Sequence, residues 1–487
     1  MWITLTIYHD KYNNVKSDFR EFYPLKINNF LSSLKRSLIN LDKYIFLYSF
    51  LFIQRKMENN KYNSNYESCF KLILRALYSR NYRLFFIGQG ISLIGTFMQQ
   101  VAISWLIYRL TGSAMLLGVV GFLSQIPVFF ITPFAGVFID RWHRQQLLII
   151  TQILFMLQAL VLAFFTITHS ITIWHIIILG TLAGFVSAFD MPARQTFVVE
   201  MVDKKEDLGN AIALNSFLLH SARLVGPSLA GILIGITGEG ICFLINGISY
   251  LAAILSLLAM TVNPKELENL NSNILKDLKD GLNYAFGFLP IKYILLFAGI
   301  NSLMGMPYGV LMPIFAKKIL HGGPQTLGFL IGASGVGALI GAIYLASRKS
   351  ILGLCKIMAT ASSIFGIGII TFSLSRLYSL SLLLMLCVGF GMMVVLTSSN
   401  TVLQTIIDDN KRGRVMGLFT MMLFGMFPFG SLLSGTMASK IGAPNTLILS
   451  GVFCILSSMV FASKLPLLQK IIKPIYIEKG ILEGELI

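Results

Sequence analysis

The sequence predicts an all-α integral membrane protein, because of its composition and the way its apolar residues are grouped. Hydrophobic residues make up 55% of the 487 residues, and charged residues make up only 13%. A soluble domain carries about 25% charged residues. The apolar residues form long runs that are close to the roughly 20 residues with which a helix crosses a hydrocarbon core. The chain is therefore expected to cross a membrane many times.

Twelve apolar runs follow one another along the chain, and short polar breaks separate them. Each run has the length of one membrane-spanning helix. The predicted spans are 83–108, 113–138, 145–168, 172–193, 208–235, 239–260, 290–315, 325–346, 352–373, 377–401, 414–438 and 444–463.

The polar breaks also divide the chain into predicted domains. Two tails on the cytoplasmic side flank two six-helix bundles, and a cytoplasmic linker joins the bundles. Met57 is an alternative start of the chain, because it stands shortly before the first span. The predicted limits are 1–82 for the first tail, 83–262 for the N-terminal bundle, 263–289 for the linker, 290–463 for the C-terminal bundle and 464–487 for the last tail.

The linker has apolar residues at helical spacing among charged ones. This pattern predicts an amphipathic helix that lies along the membrane surface, and a solvated linker helix is the alternative. The apolar residues concerned are Leu275, Leu278, Leu282 and Phe286.

Short motifs recur between the two halves at a distance of about 205 residues. Residues 226–231 (GPSLAG) resemble residues 430–435 (GSLLSG), and the pair Leu117-Gly118 resembles Leu327-Gly328. Such recurrence predicts two parallel six-helix repeats, pseudo-symmetric bundles with a binding site at their interface. Chance likeness between apolar segments is the alternative.

Residues 136–144 (GVFIDRWHR) place an acid and two arginines between two apolar spans. Charged groups in lipid cost several kcal/mol each, so this segment is expected to lie at a membrane surface. Its pattern, G-x-x-x-D-R-x-x-R, resembles the loop between spans two and three of major facilitator superfamily transporters. Any short basic loop that sets membrane orientation is the alternative.

The distribution of basic residues predicts orientation and excludes other classes of protein. Most lysines and arginines of the loops fall on one side of the predicted membrane, which indicates that both termini are cytoplasmic. The net charge of +17 is spread over loops and tails, where it can contact anionic lipid, and this pattern is not that of a nucleic-acid-binding protein. The five cysteines are scattered and predict neither a disulfide scaffold nor a metal site.

Five dispersed motifs resemble the enterobactin-exporter-like branch of the major facilitator superfamily, over about residues 80–463. The resemblance implies the major facilitator fold and export of siderophores or hydrophobic drugs across the bacterial inner (plasma) membrane by proton antiport. The motifs are 81–86 (NYRLFF), 105–113 (WLIYRLTGS), 190–195 (DMPARQ), 222–227 (ARLVGP) and 412–416 (RGRVM).

The charged loop and its neighbours are predicted to gate the transporter. In such folds the loop acid, here Asp140, faces the N-terminus of span eleven, where the helix dipole and nearby arginines favour an anion. Arg144 is expected to pair with Asp190 in span four. Static pairing that only sets topology is the alternative. The predicted gating residues are Gly136, Asp140, Arg141, Arg144, Asp190, Arg194, Arg412 and Arg414.

Arg223 is the most informative predicted cavity residue, since a cation midway along span five is costly unless it faces water, a ligand or a partner. For Arg223, the alternative is a structural pair between helices. His220 lies nearly one turn earlier and is a second candidate, for which the alternative is a hydrogen-bonded core position. Gly226, Pro227 and Gly231 predict a kink and a small-residue face. The other predicted cavity residues, each equally able to bridge helices, are Gln99, Gln125, Asn215, Asn301, Tyr308 and Asn400.

The sequence therefore predicts a secondary active exporter of a small molecule, with membrane lipids as its other partners. It is expected to be monomeric, to hold no cofactor or metal, and to draw energy from a proton gradient. No acid is evident in mid-span, so the proton carrier has no candidate. A flippase for an acidic (lyso)lipid and a non-transporting scaffold or sensor are the alternatives; an enzyme is disfavoured because no nucleophile–base set appears.

Overall fold

The structure is a computed structural model that describes residues 74–140, 142–262, 282–348, 350–408, 411–479 and 481–482. Within these ranges, side chains are described except at residues 133, 134, 136–140 and 205. The predicted start at Met57 and most of the predicted linker helix lie outside the described residues.

Twelve helices of the described chain are long and apolar enough to span a membrane, which confirms the predicted number and order. They are α1 (Arg80–Thr111), α2 (Ala114–Asp140), α3 (Arg144–Ile167), α4 (Ile173–Met201), α5 (Leu208–Thr237), α6 (Glu239–Ala259), α7 (Leu289–Ile319), α8 (Pro324–Ala346), α9 (Leu354–Leu374), α10 (Tyr378–Ile406), α11 (Arg412–Ile441) and α12 (Ala443–Glu478).

The last helix differs from the sequence prediction. Residues 464–478 were expected to belong to a tail, yet α12 continues through them to Glu478. Leu468, Ile472 and Tyr476 recur at helical spacing and are buried against the second bundle. Because their apolar face has a partner, this part of the chain is part of the folded domain.

The helices form two bundles. In the first, α1 packs against α5 and α6, α3 packs against α4 and α6, and α2 packs against α4. In the second, α8 packs against α10, and α9 packs against α10 and α12. The bundles meet where α5 packs against α8 and where α11 packs against α2. These two contacts involve equivalent helices of the two halves, as parallel repeats require.

The loops lie on two sides of the predicted membrane. The α2–α3, α4–α5, α8–α9 and α10–α11 connections, which carry most of the basic loop residues, define what we call the basic side. The opposite surface is called the far side. There, Gly238 ends α5 and Gly442 ends α11, with φ of 84° and 82°. Both backbones are in a region that favours glycine, so the repeats turn in the same way.

Helix α7 is irregular where it reaches the bundle interface. Two α-helical segments, Leu289–Ile300 and Tyr308–Ile314, are separated by a π-helical turn over Asn301–Gly305 and by Pro307. Proline lacks the amide hydrogen that a regular helix needs. Such widened turns inside helices are frequent at functional sites, and this one directly precedes Tyr308.

Candidate functional site

On the far side, the bundles touch through glycines of α2 and α11. A Cβ atom built on Gly118 would lie 2.8 Å from the Gly435 Cα, and one built on Gly435 would lie 2.7 Å from the Gly118 Cα. Real Cβ atoms do not approach other atoms so closely, so these two positions accept only glycine in this arrangement. The backbones of the two helices are therefore in direct contact.

A second glycine contact joins α5 and α8. A Cβ atom on Gly328 would lie 2.8 Å from the Gly231 Cα, and one on Gly231 would lie 3.1 Å from the Gly328 Cα. Gly118 corresponds to Gly328 in the predicted repeat, and Gly231 corresponds to Gly435. The same contact is therefore made twice, once on each side of the pseudo-two-fold axis.

Toward the basic side, α11 changes from tight packing to open space. Near the middle of the molecule, Phe429 meets Phe122 and Phe129 of α2 at ring distances of 5.7 Å each. Nearer the basic side, a Cβ atom on Gly413 or Gly417 would meet no described atom within 4 Å. Among the described residues, tight contact between α2 and α11 is thus a far-side feature.

Arg223 lies on α5, between these far-side contacts and the basic side. Its guanidinium lies over the Phe97 ring of α1, with 5.7 Å between the Cζ atom and the ring centroid. Its backbone carbonyl lies against Gly335 of α8, and its charge is within electrostatic range of Tyr308 of α7. Arg223 therefore stands at the interface between the two bundles.

The second bundle presents hydroxyl groups at this place. Tyr308 is buried, and its hydroxyl is hydrogen-bonded to the Ser334 Oγ of α8 at 2.7 Å. The Phe365 ring meets the Tyr308 ring edge-on, with 6.2 Å between their centroids. We call Arg223, Phe97, Tyr308 and Ser334 the central site. It combines a cation and an aromatic face from the first bundle with two hydroxyls from the second.

Arg223 has no carboxylate partner among the described residues, whereas four other arginines have one. Arg109 pairs with Glu239 at 2.7 Å, and Arg75, Arg144 and Arg194 pair with Asp207, Glu200 and Asp190 respectively. A cation in a membrane interior is costly unless a counter-charge or water meets it. The central site is therefore suited to an anionic group, which would supply the missing counter-charge.

His220 precedes Arg223 by nearly one turn of α5, as its spacing predicts. Its Nδ1 atom is enclosed and has no hydrogen-bond partner among the described residues. The His220 ring is within electrostatic range of the Arg223 guanidinium. A positive charge on His220 would be repelled by the guanidinium of Arg223. His220 is therefore better suited to donate a hydrogen bond to a ligand, or accept one from it, as a neutral ring.

Two of the predicted cavity residues lie elsewhere. Gln99 is buried within the first bundle, where it donates to Gln158 at 2.9 Å and accepts from Asn246 at 2.8 Å. Asn301 is buried within the second bundle, where Ser362 donates to it at 2.8 Å. Both amides bridge helices of their own bundle, which was the alternative for each of them, and neither belongs to the central site.

Three further predicted cavity residues are half-buried. Gln125 lies on the face of α2 that carries Phe122 and Phe129, so it points toward the bundle interface. Asn400 accepts a hydrogen bond from Gln404 at 3.1 Å on the same helix. Asn215 lies on α5 about two turns before Arg223. The roles of these residues in transport stay predictions.

Glycines of α5 pack this helix against both bundles. A Cβ atom on Gly226 would lie 2.7 Å from the Phe97 Cβ of α1, and Gly231 touches α8 as described above. The helix runs through Pro227 without interruption. Small residues therefore let α5 lie close to α1 and α8 at once, and they bring Phe97 next to Arg223.

The predicted pairing of Arg144 with Asp190 is wrong. Arg144 begins α3 and pairs with Glu200, in the last turn of α4. Asp190 lies ten residues before Glu200, about 15 Å deeper along the helix, and it pairs with Arg194. Sequence reasoning missed Glu200 because it considered acids by motif and not by their depth along α4.

Other parts of the predicted gate are only partly visible. The surroundings of Gly136, the side chain of Asp140 and the whole of Arg141 lie outside what the structure describes. Arg412 and Arg414 are exposed in the first turn of α11, on the basic side. Their predicted position at the helix N-terminus is thus observed, and their gating role stays a prediction.

Two six-helix bundles that meet around one charged site define a membrane transporter of the major facilitator fold. The chain belongs to the family whose model is described as "Transmembrane secretion effector", which matches residues 74–473. It is similar to the staphyloferrin A transporter of Staphylococcus aureus, with 25% identity over 78% of this chain and 95% of that protein. It is also similar to macrolide efflux protein A of Streptococcus pyogenes, with 24% identity over 77% of this chain and 93% of that protein.

Solved structures support the same fold. A bacterial homologue of the iron transporter ferroportin superposes with a TM-score of 0.61 at 17% identity, covering 79% of this chain and 98% of that one. The D-xylose–proton symporter superposes with a TM-score of 0.63 at 13% identity, covering 79% and 97%. Together with the family membership, this fold makes the chain a multi-pass membrane transporter.

Proposed function

We propose that the chain is a proton-coupled exporter that carries a siderophore, or another amphipathic small molecule with an anionic group, out of a bacterial cell. The observation that carries this proposal is the central site, where Arg223 contacts both bundles and has no carboxylate partner within the described part of the chain. The family membership and the relatives, a siderophore transporter and efflux proteins, support export as the direction.

Orientation follows from the basic residues. Loops rich in lysine and arginine stay in the cytoplasm, so we assign the basic side to the cytoplasm and the far side to the exterior of the inner (plasma) membrane. Both termini are then cytoplasmic. With this assignment, the glycine contacts close the exterior side, and the arrangement is one in which substrate enters from the cytoplasm.

The central site provides a reason for the bundles to move. A substrate anion would bind the guanidinium of Arg223, from the first bundle, and the hydroxyls of Tyr308 and Ser334, from the second. Binding to both bundles favours a state in which they approach each other on the cytoplasmic side. The glycine contacts of the exterior side would then separate, and the substrate would leave outward.

Inverted membrane vesicles test this proposal, because their interior corresponds to the cell exterior. Three labelled probes distinguish the classes: staphyloferrin A, a macrolide and an acidic lysolipid. We expect accumulation of an anionic probe when the vesicle interior is made acidic, and its loss in Arg223→Ala. Arg376→Ala is a matched control, since Arg376 is an exposed arginine that donates to the backbone carbonyls of Ser373 and Ser375 at the end of α9.

The outcomes separate the candidate functions. Accumulation of the lysolipid alone would support the flippase alternative and contradict export of a siderophore or drug. Accumulation of a neutral macrolide that is unaffected by Arg223→Ala would contradict the anionic group. No accumulation of any probe by a folded wild-type protein would contradict export of these classes altogether.

A further inference from the structure

A buried polar cluster within the first bundle lies apart from the central site. Its centre is Asp190 of α4, which is 3% exposed. The Oδ1 atom of Asp190 accepts hydrogen bonds from Thr151 Oγ1 at 2.7 Å and from Gln152 Nε2 at 2.9 Å, both on α3. The Oδ2 atom pairs with Arg194, one turn later on α4. A carboxylate in a membrane span is costly and is most often functional.

The Thr151 hydroxyl of this cluster has a single hydrogen for two acceptors. The two acceptors are Asp190 Oδ1 and the Leu148 carbonyl, the latter at 2.9 Å. The Gln152 Oε1 atom is enclosed and has no donor among the described residues. A proton on Asp190 Oδ1 lets both contacts of Thr151 be full hydrogen bonds, because Asp190 can then donate to Thr151 while Thr151 donates to Leu148.

The ion pair of the cluster spans the turn of α4 that contains a proline. Pro192 lies inside the helix, between Asp190 and Arg194. Because proline has no amide hydrogen, the carbonyl of Ala188 loses its regular helical partner. The Asp190–Arg194 pair bridges the same turn from the outside of the helix. Removal of the charge on Asp190 therefore weakens α4 at the place where its backbone is already least stabilised.

We propose that Asp190 is the proton-binding site that couples this transporter to the proton gradient. This inference rests on the proposed function. A proton and Arg194 are alternative counter-charges for the carboxylate: an O–H bond forms on Asp190 as the ion pair with Arg194 breaks. The Arg194 side chain is 20% exposed and that of Asp190 4%, so the released guanidinium can turn toward the basic side. Tyr250 of α6 is a titratable group within electrostatic range of the pair.

Infrared difference spectroscopy tests proton binding without any substrate. Purified wild-type protein in detergent is compared between acidic and alkaline pH, and the carboxylic acid C=O band is recorded. We expect one slowly deuterium-exchanging band that is absent in Asp190→Asn. It should persist in Glu200→Gln, a matched control that removes the ion pair between α4 and Arg144 of α3. A spectrum of Asp190→Asn identical to wild type would overturn the proposal.

Proteoliposomes test the coupling and separate this inference from the proposed function. Export of staphyloferrin A and the macrolide is measured with an imposed pH gradient, and exchange of each probe is measured without a gradient. We expect Asp190→Asn to keep exchange and to lose gradient-driven accumulation. If Asp190→Asn still accumulates a probe, the proton site is wrong and the exporter stands. If wild-type protein shows neither exchange nor accumulation, the proposed function fails, and only the infrared result then bears on Asp190.

Discussion

The two contacts between the bundles have the same scaffold but different chemistry. Gly231 of α5 touches Gly328 of α8, and Gly435 of α11 touches Gly118 of α2 in the symmetry-related way. On α5, however, the chain places Arg223 about two turns before its glycine. On α11, the repeat-related position is about Phe427, and Phe429 lies in a layer of aromatic rings.

This difference indicates which parts of the molecule serve both halves and which serve one. Glycine contacts occur in both repeats, so we propose that they take part in the closing and opening of the two bundles. The cation occurs in one repeat alone, so we propose that it serves the recognition of the substrate. In this account, the two symmetric glycine contacts allow the bundles to move, and the single cation of Arg223 binds the substrate that this movement carries.

The largest expected effect comes from filling either glycine contact. Gly328→Phe and Gly118→Phe should each abolish transport by opening the far side, since overpacking a close contact costs about 1–3 kcal/mol and shifts a two-state equilibrium about 5- to 150-fold. The measurement is labelling of a cysteine introduced at Ser431, which the contact buries completely, in a background without native cysteines.

Gly417→Phe is the control, because its Cβ position is open. It should leave the cysteine at position 431 protected in the resting protein. Protection that is lost in only one of the two contact variants would show that the two interfaces do not act as equivalents.

A large effect is also expected from moving the cation. Arg223→Ala should weaken binding of an anionic substrate about 10- to 150-fold, the equivalent of about 1.5–3 kcal/mol for hydrogen bonds to a charged group.

The double variant Arg223→Phe with Phe427→Arg carries the cation on α11 instead. It should not restore binding, because Tyr308 lies within electrostatic range of the position on α5 that Arg223 leaves. Restored affinity in a binding titration would mean that the two repeats are interchangeable.

A smaller effect is expected at the hydroxyl pair of the second bundle. Tyr308→Phe should weaken binding of the same substrate about fivefold, as for a hydrogen bond worth about 1 kcal/mol. Ser334→Ala should have a similar effect, and the double variant should be little worse than either single one. Fully additive losses would show that Tyr308 and Ser334 act independently of each other.

The smallest expected effect concerns the aromatic layer between α2 and α11. Phe429→Leu removes ring contacts worth about 0.5–1.5 kcal/mol each while keeping most of the apolar volume. We expect a small fall in the melting temperature in detergent and normal substrate affinity. A large loss of affinity would place this layer in the binding site and remove the asymmetry between the two interfaces.

The sequence predicts the helices and the symmetry well, for physical reasons. Spanning a membrane requires long apolar runs, and such runs are visible without any knowledge of packing. The glycines that touch were already visible as repeated motifs, since Gly118 and Gly328, and Gly231 and Gly435, occupy equivalent positions. Arg223 was visible because a cation is rare in the middle of a span.

The neighbours of these residues could not be predicted in the same way. A polar residue in an apolar span faces either a cavity or its own bundle, and this choice depends on the rotation of each helix. Gln99 and Asn301 therefore looked like Tyr308 in the sequence, although they bridge helices within their bundles. Phe97, Ser334 and Glu200 have no distinctive local pattern, and only the packing brings them to Arg223, Tyr308 and Arg144.

The most direct test of the central claim is a binding titration with a matched pair of ligands. An amphipathic carboxylic acid that the vesicle assay shows to be transported is compared with its methyl ester, on wild-type protein and on Arg223→Ala. If Arg223 binds the substrate anion, the acid binds wild-type protein more tightly than the ester, and Arg223→Ala removes this difference. A preference for the acid that survives in a folded Arg223→Ala protein would contradict the claim.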